Sequence, residues 1–230
     1  MIKSNNDDRE IEWRWMDVDI KKIRELLVKN NATLVYPKTI MPLMVFTHPL
    51  KKKDSYIRIR YEGTHISLTS KTNLKSEYVT EYEVTIDNFA QGIKILLSIG
   101  CTKKYYVEKM RETWQLPGCK EIVIDSYPGT YEYLEIDAYT EKDLIKTAKL
   151  LGLSKPINDD NSITGISDVY RNYYGMLDNR KKNYLTFKDA YKLNKKYITK
   201  NRQKFRMYLK EQQKYYKSLK FNIKEIYHLI

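Results

Sequence analysis

Like charges recur in pairs two residues apart between Glu10 and Asp137, each pair inside a segment that alternates polar and apolar side chains. A period of two is that of a β-strand, whose successive side chains point to opposite faces. In Glu10 to Trp15, the residues Glu10, Glu12 and Arg14 share one face, while Ile11, Trp13 and Trp15 share the other. Tyr56 to Arg60 pairs Arg58 with Arg60, Ile66 to Lys71 groups Ser67, Thr69 and Lys71, and Val79 to Val84 pairs Glu81 with Glu83. Val107 to Arg111 pairs Lys109 with Arg111, and Tyr131 to Asp137 sets Tyr131, Tyr133, Glu135 and Asp137 opposite Leu134 and Ile136. Ile122 to Asp125 reads as a shorter, more apolar strand ending in a carboxylate.

A solvated sheet face usually mixes polar residue types. Same-sign pairs on one face repel unless something sits between them. A closed antiparallel barrel resolves the conflict: alternate residues of each strand enter the lumen and the others pack against outer helices. Acidic pairs suit Mg²⁺ or Mn²⁺, which prefer oxygen ligands. Basic pairs suit phosphate groups, arginine in particular through its two-pronged donor fork. A lumen of both signs therefore fits a metal–polyphosphate complex.

The punctuation agrees with strands alternating with outer helices. Turns are expected at Glu62-Gly63, Pro117-Gly118 and Pro128-Gly129. Helical spacing marks Val18 to Leu27, Phe89 to Leu97 with a stop at Gly100, and Asp143 to Leu151 with a stop at Gly152. The fold class expected is α+β. With 42% hydrophobic and 31% charged residues the chain can bury a core. Two cysteines and three histidines exclude a disulfide scaffold and a Cys/His zinc site, and favour a reducing compartment. Met1 to Glu10 is polar and reads as no signal peptide. The apolar run Leu34 to Phe46 is too short for a membrane span and is broken by Pro37 and Pro42. A soluble, intracellular protein is expected. Trp13, Trp15 and Trp114 read as packing aromatics, Cys101 and Cys119 as inert, and His48, His65 and His228 match no motif position.

The same pairs resemble a known family. Glu10-x-Glu12-x-Arg14 is similar to the E-x-E-x-K signature that opens the CYTH superfamily, named after bacterial adenylyl cyclases and thiamine triphosphatases. The later order is also similar: R-x-R at Arg58/Arg60, T-x-K at Thr69/Lys71, E-x-E at Glu81/Glu83 and K-x-R at Lys109/Arg111. Asp125 to Asp137 resembles the family's D-x-x-P-x-L-G-x-F-x-E-I-E ending. The resemblance runs from Met1 to about Leu153, with Leu177 as its outer bound. Arg14 stands where the family has lysine, Asp137 where it has a last glutamate, and Pro128 directly precedes Gly129 where a leucine is usual. Arginine cannot shed its proton as lysine can, so a role for a neutral amine is lost at Arg14.

The resemblance implies a closed eight-stranded antiparallel barrel, a triphosphate tunnel, over residues 1–177. It implies divalent metal at Glu10, Glu12, Glu135 and Asp137, with Asp125 assisting, and phosphates gripped by Arg58, Arg60, Lys71, Lys109 and Arg111. Arg14 would help at the phosphate end or position the attacking water; Glu81 and Glu83 would pair with the basic residues or orient a metal-bound water. The implied reaction is metal-dependent hydrolysis of tripolyphosphate, a nucleoside triphosphate, thiamine triphosphate or an RNA 5′-triphosphate. The family's cyclases instead let the ribose 3′-hydroxyl attack the α-phosphate of ATP, and substrate register decides between the two. A non-catalytic barrel that binds a nucleotide or an RNA end is the remaining reading.

Residues 178–230 differ. They carry 16 Lys and Arg against four Asp and Glu, nearly all of the chain's net charge of +13. Phe187 to Lys220 is basic and helical in pattern, with Phe205, Tyr208, Leu209, Tyr215, Tyr216 and Leu219 on one stripe. Such an extension either caps the barrel with solvated lysines outside or attracts RNA, an anionic membrane surface being a third reading. With RNA on this extension, the resemblance would imply an RNA 5′-triphosphatase.

Overall fold

The computed structural model of the protein describes residues 11–16, 18–50, 54–72, 80–154, 166–176, 184–190, 192 and 197–218. The elements in chain order are β1 (Ile11–Trp15), α1 (Ile20–Lys29), β2 (Thr33–Thr47), β3 (Tyr56–Tyr61), β4 (Ile66–Thr72), β5 (Thr80–Ile86) and α2 (Phe89–Ser98). There follow β6 (Thr102–Gln115), β7 (Cys119–Ser126), β8 (Tyr133–Ala138) and α3 (Glu141–Leu150). A short α4 (Ile166–Asp168) runs into a π-helical turn (Val169–Tyr173), and then come a two-residue β9 (Tyr184–Leu185) and α5 (Arg202–Ser218). The chain groups into two compact units, one around Leu43–Tyr105 and one around Ile11–Pro42 and Tyr106–Phe221; β2 and β6 each run from one unit into the other.

In the first unit the end of β2 pairs with β3, β3 with β4 and β4 with β5, all antiparallel. Ile57 and Ile59 turn toward α2, which buries Phe89, Gly92, Ile93 and Leu96. Gly92 lets the helix approach: a Cβ there would stand 2.6 Å from Ile86 Cδ1 and 3.0 Å from Ile59 Cδ1. Asn88 caps the helix, accepting from the Gln91 amide at 2.9 Å. The expected stop falls at Gly100, whose φ of +90° is one that L side chains rarely adopt.

In the second unit β1 pairs with β8, β8 with β7 and β7 with β6, again antiparallel. Period-two alternation sends Trp15, Ile122, Ile124, Leu134 and Ile136 to one side. There they meet Ile20, Ile23 and Leu27 of α1 and Leu144 and Ala148 of α3. Burying a side chain of this size contributes about 1.5–3 kcal/mol, so this apolar layer fixes which face of the sheet the charges must take. Trp15 and Trp114 belong to this core, and the Trp15 indole donates to the Ser154 carbonyl at 2.7 Å.

Two segments add detail to the expectation. The Leu34 to Phe46 run, broken by two prolines, lies within the 15-residue β2. Pro37 and Pro42 both precede the Leu43–Phe46 stretch that pairs with β3, so neither removes a hydrogen bond from that ladder. Within the stretch expected to be helical from Phe187, Ala190 and Lys192 are helical, and α5 follows from Arg202 after an irregular stretch at 197–201. Before it, β9 pairs in parallel with Tyr106 and Val107, and the Thr199 and Lys200 amides donate to Tyr174 O at 3.1 and 3.0 Å. The Tyr-rich segment 166–176 folds back on the β7–β8 connection, where Tyr170 donates to Pro128 O at 2.6 Å.

Helix α5 docks on the same connection. Phe205 and Leu209 are buried, and Phe205 packs edge-on against Tyr174 with ring centroids 5.3 Å apart. Gly129 accepts this packing because it has no side chain: a Cβ there would lie 2.3 Å from the Phe205 ring, and its φ is +77°. The Gln212 amide is fully used. It donates to Tyr127 O and Thr130 O at 3.0 Å each and accepts from Gly129 N at 2.8 Å. Tyr208, Tyr215 and Tyr216 are half-buried, while Leu219 lies outside the described residues. Among the described residues no helix is long and apolar enough to cross a membrane.

Candidate active site: two charged sheet faces

The face of the first unit opposite α2 carries Arg58 and Arg60 of β3, Ser67, Thr69 and Lys71 of β4, and Glu81 and Glu83 of β5. Their register makes them neighbours: Arg58 lies opposite Thr69, Thr69 opposite Glu83, and Lys71 opposite Glu81. Lys71 is ion-paired with Glu81 at 2.7 Å, and Thr69 donates to Glu83 at 2.8 Å. Arg60 is held by Glu62, which also accepts from Ser67 at 2.7 Å. Burial alone would raise the Glu62 pKa, but the adjacent Arg60 charge outweighs it and holds Glu62 below the usual carboxylate range.

Arg58 is less well served. Its contacts are long, 3.3 Å to Thr69, 3.4 Å to Glu81 and 3.7 Å to Glu83, and among the described residues its buried Nε has no hydrogen-bond partner. Burial and then repulsion from Arg60 lower its pKa below the ordinary arginine value. A buried guanidinium with an unused donor beside a second one is an arrangement that an anion would stabilise.

The charged face of the second unit is more tightly cross-linked. Arg14 of β1 donates to Glu12 at 2.6 Å and to Glu135 of β8 at 2.5 Å. Arg111 of β6 grips Asp125 of β7 with two hydrogen bonds of 2.7 Å, and Lys109 reaches the same carboxylate at 2.8 Å. Arg111 also contacts Glu121 at 3.2 Å and Glu135 at 3.3 Å. Burial opposes the charge on Arg14, but Glu135 and Glu12 outweigh it and raise its pKa; Asp125 chiefly does the same for Arg111. Both arginines are fixed cations. Burial would raise Asp125, yet Arg111 and Lys109 hold it well below the usual range.

The carboxylates of this unit lie in rows. Glu12 of β1 is in register with Asp137 of β8, which is in register with Glu121 of β7, and Asp137 Oδ1 lies 3.9 Å from Lys120 Nζ. Glu10 lies outside the described residues. Two contributors escaped the sequence reading, Glu121 and Glu62. Parity was the available signal: Glu121 is four residues before Asp125, and Glu62 two after Arg60, each on the charged face of its strand. Cys101 and Cys119 are buried thiols whose pKa burial raises, as expected of inert cysteines.

Comparison with known proteins agrees with this geometry. Residues 46–155 match the CYTH domain family, the family that the charge pairs from Arg58 to Asp137 resemble. The N-terminal Glu-x-Glu strand lies ahead of the matched stretch. No curated protein matches the chain. A Vibrio parahaemolyticus protein assigned provisionally as an adenylate cyclase aligns with a TM-score of 0.55 and 12% identity, over 63% of this chain and 89% of its own. A Pyrococcus horikoshii protein aligns at 0.53 and 19%, over 64% of this chain and 92% of its own. A Hippeastrum protein described as having a dominant triphosphatase activity aligns more loosely, at 0.47 and 17% identity, over 75% of this chain and 99% of its own. At these identities the likeness is one of fold.

Proposed function

We propose that this protein hydrolyses a triphosphate-bearing substrate with the help of Mg²⁺ or Mn²⁺ inside a closed eight-stranded β-tunnel formed by residues 1–177. The observation that carries the reading is the under-compensated Arg58 beside Arg60 and Lys71, which asks for a multiply charged anion. The CYTH domain match favours the same chemistry.

The donor set suits a hard cation, since Glu12, Glu135 and Asp137 on adjacent strands offer only carboxylate oxygens. Among the described residues no three metal-ligating side chains already converge on one point; Glu12 and Glu135 converge on Arg14 instead. These three would hold the cation, with Glu10 and Asp125 assisting. A cation there would neutralise charge on the phosphate oxygens.

This chain's own residues do the rest. Arg58, Arg60 and Lys71 bind phosphate oxygens, and Arg111 and Lys109, locked by Asp125, present fixed positive charge that needs no reorganisation during reaction. Arg14 acts as a permanent cation and not as a proton carrier. Glu81 is committed to Lys71, whereas among the described residues Glu83 meets only Thr69 and a distant Arg58, which makes Glu83 the better carboxylate for orienting water. The provisional cyclase assignment of the Vibrio relative keeps one alternative, in which the ribose hydroxyl of ATP attacks and pyrophosphate leaves. A barrel that binds a phosphorylated end without turnover is the other.

The test is calorimetric titration of tripolyphosphate into the wild type and Arg58→Gln. Removing one charge-assisted contact of about 1.5–3 kcal/mol should weaken binding tenfold or more. The same circular dichroism spectrum is expected, because the change also relieves repulsion from Arg60. Equal affinity in the two proteins would contradict the reading.

A further inference from the structure

Helix α5 presents two faces with different chemistry. Its apolar face is spent on the protein, through Phe205, Leu209 and the fully bonded Gln212. On the other face stand Arg206, Lys210, Lys214 and Lys217, all exposed. At 100° per residue these four fall within an arc of about 80°, a single stripe, and at 1.5 Å per residue it runs for about 17 Å. No carboxylate lies within the stripe; Glu211, the helix's one acidic residue, projects about 60° beyond its edge. Among the described residues none of the four side chains makes a hydrogen bond or ion pair. By contrast Arg202 donates to Ile198 O and Lys204 to the Tyr173 hydroxyl, outside the stripe.

Four unneutralised cations in a line repel one another along the helix. A linear polyanion would relieve this repulsion along its whole length, with release of counterions. A bilayer would not be engaged in the same way, because an interfacial helix needs an apolar face to insert and the face of α5 is buried against the domain. The helix is also fixed relative to the second charged face. Gln212 and Phe205 hold it on the turn between β7 and β8, the strands that carry Asp125 and Glu135.

We propose that the stripe Arg206, Lys210, Lys214 and Lys217 binds the sugar-phosphate backbone of a single-stranded polynucleotide. It adds to the triphosphate reading above a partner for the C-terminal helix, a single-stranded polynucleotide held by its backbone. The stripe supplies affinity largely independent of base sequence, since its four cations meet phosphates rather than base edges.

The test is fluorescence-anisotropy titration with a labelled single-stranded 20-mer RNA bearing a 5′-hydroxyl, so that binding needs no triphosphate and no turnover. Compared are the wild type and the fourfold variant Arg206→Gln, Lys210→Gln, Lys214→Gln, Lys217→Gln, whose positions are all exposed. The variant should bind at least tenfold more weakly. The slope of log K against log salt should become shallower by about 3, near 0.7 per lost phosphate contact. Tripolyphosphate titration should be the same for both proteins, which separates failure of the stripe from failure of the triphosphate reading. Equal RNA affinity and salt slope in the two proteins would overturn the proposal. So would stripe-dependent binding to phosphatidylserine vesicles with none to RNA.

Discussion

Replacing Asp125 by asparagine keeps the side chain's shape and removes its charge. Asp125 is 1% exposed, and it is the shared partner of Arg111 and Lys109, themselves 7% and 5% exposed. Removing one member of a buried ion pair costs about 3–5 kcal/mol, because the remaining charge stays buried without compensation. Arg111 keeps Glu121 at 3.2 Å and Glu135 at 3.3 Å, which places the loss at the lower end, about 3 kcal/mol. For a chain of this size each kcal/mol moves the melting temperature by about 2–4 °C, so Asp125→Asn should melt about 6–12 °C below the wild type at pH 7. The sign with pH follows from the depressed carboxyl. Burial would raise Asp125, but Arg111 and Lys109 hold it below its unfolded value, so its contribution is present above the unfolded pKa and lost as pH falls through the folded one. The gap between the two proteins should therefore be constant above about pH 4 and close only below it. Calorimetric melting of both proteins from pH 3 to pH 8 checks this. A gap under about 2 °C at pH 7, or one that widens on acidification, would refute the reasoning.

Other perturbations separate the roles argued above. Glu83→Gln should lower kcat by about 10²-fold or more with KM little changed, as expected for loss of a water-orienting group, while Glu81→Gln, which frees Lys71, should act mainly on KM. Steady-state phosphate release gives both constants, and the opposite division would exchange the two assignments. Gln212→Ala removes three hydrogen bonds that hold α5 and leaves backbone groups without partners, a cost of about 1–3 kcal/mol. Limited proteolysis should then cut α5 earlier than in the wild type, without change at the β3–β5 face. Chelation with EDTA should abolish turnover, and added Mg²⁺ or Mn²⁺ should restore it.

Much of the candidate site was legible because a strand's period of two is written directly into residue order. The Arg58/Arg60, Glu81/Glu83, Lys109/Arg111 and Glu135/Asp137 pairs each lie on one face of one strand. What parity does not encode is the partner across the ladder. That Arg111 grips Asp125 and that Arg14 bridges Glu12 and Glu135 follow from register, which is set by the apolar layer of Ile122, Ile124, Leu134 and Ile136 behind them. β2 was hidden because proline reads as a breaker, although Pro37 and Pro42 stand ahead of the pairing with β3. The irregular break at 197–201 ahead of α5 was not readable, because Ile198 is apolar at plausible helical spacing and is buried by a segment anchored on Tyr174. Helix ends at Gly100 and Gly152 were readable, since left-handed stops are local chemistry.

The decisive measurement is product analysis of the purified protein with Mg²⁺ or Mn²⁺ on tripolyphosphate, ATP, thiamine triphosphate and 5′-triphosphorylated RNA. Cation-dependent release of orthophosphate, lost in Glu12→Gln and in Glu135→Gln, is the predicted result. Pyrophosphate and cyclic AMP from ATP would replace the hydrolase by a cyclase, and no turnover of any of the four substrates would contradict the catalytic account.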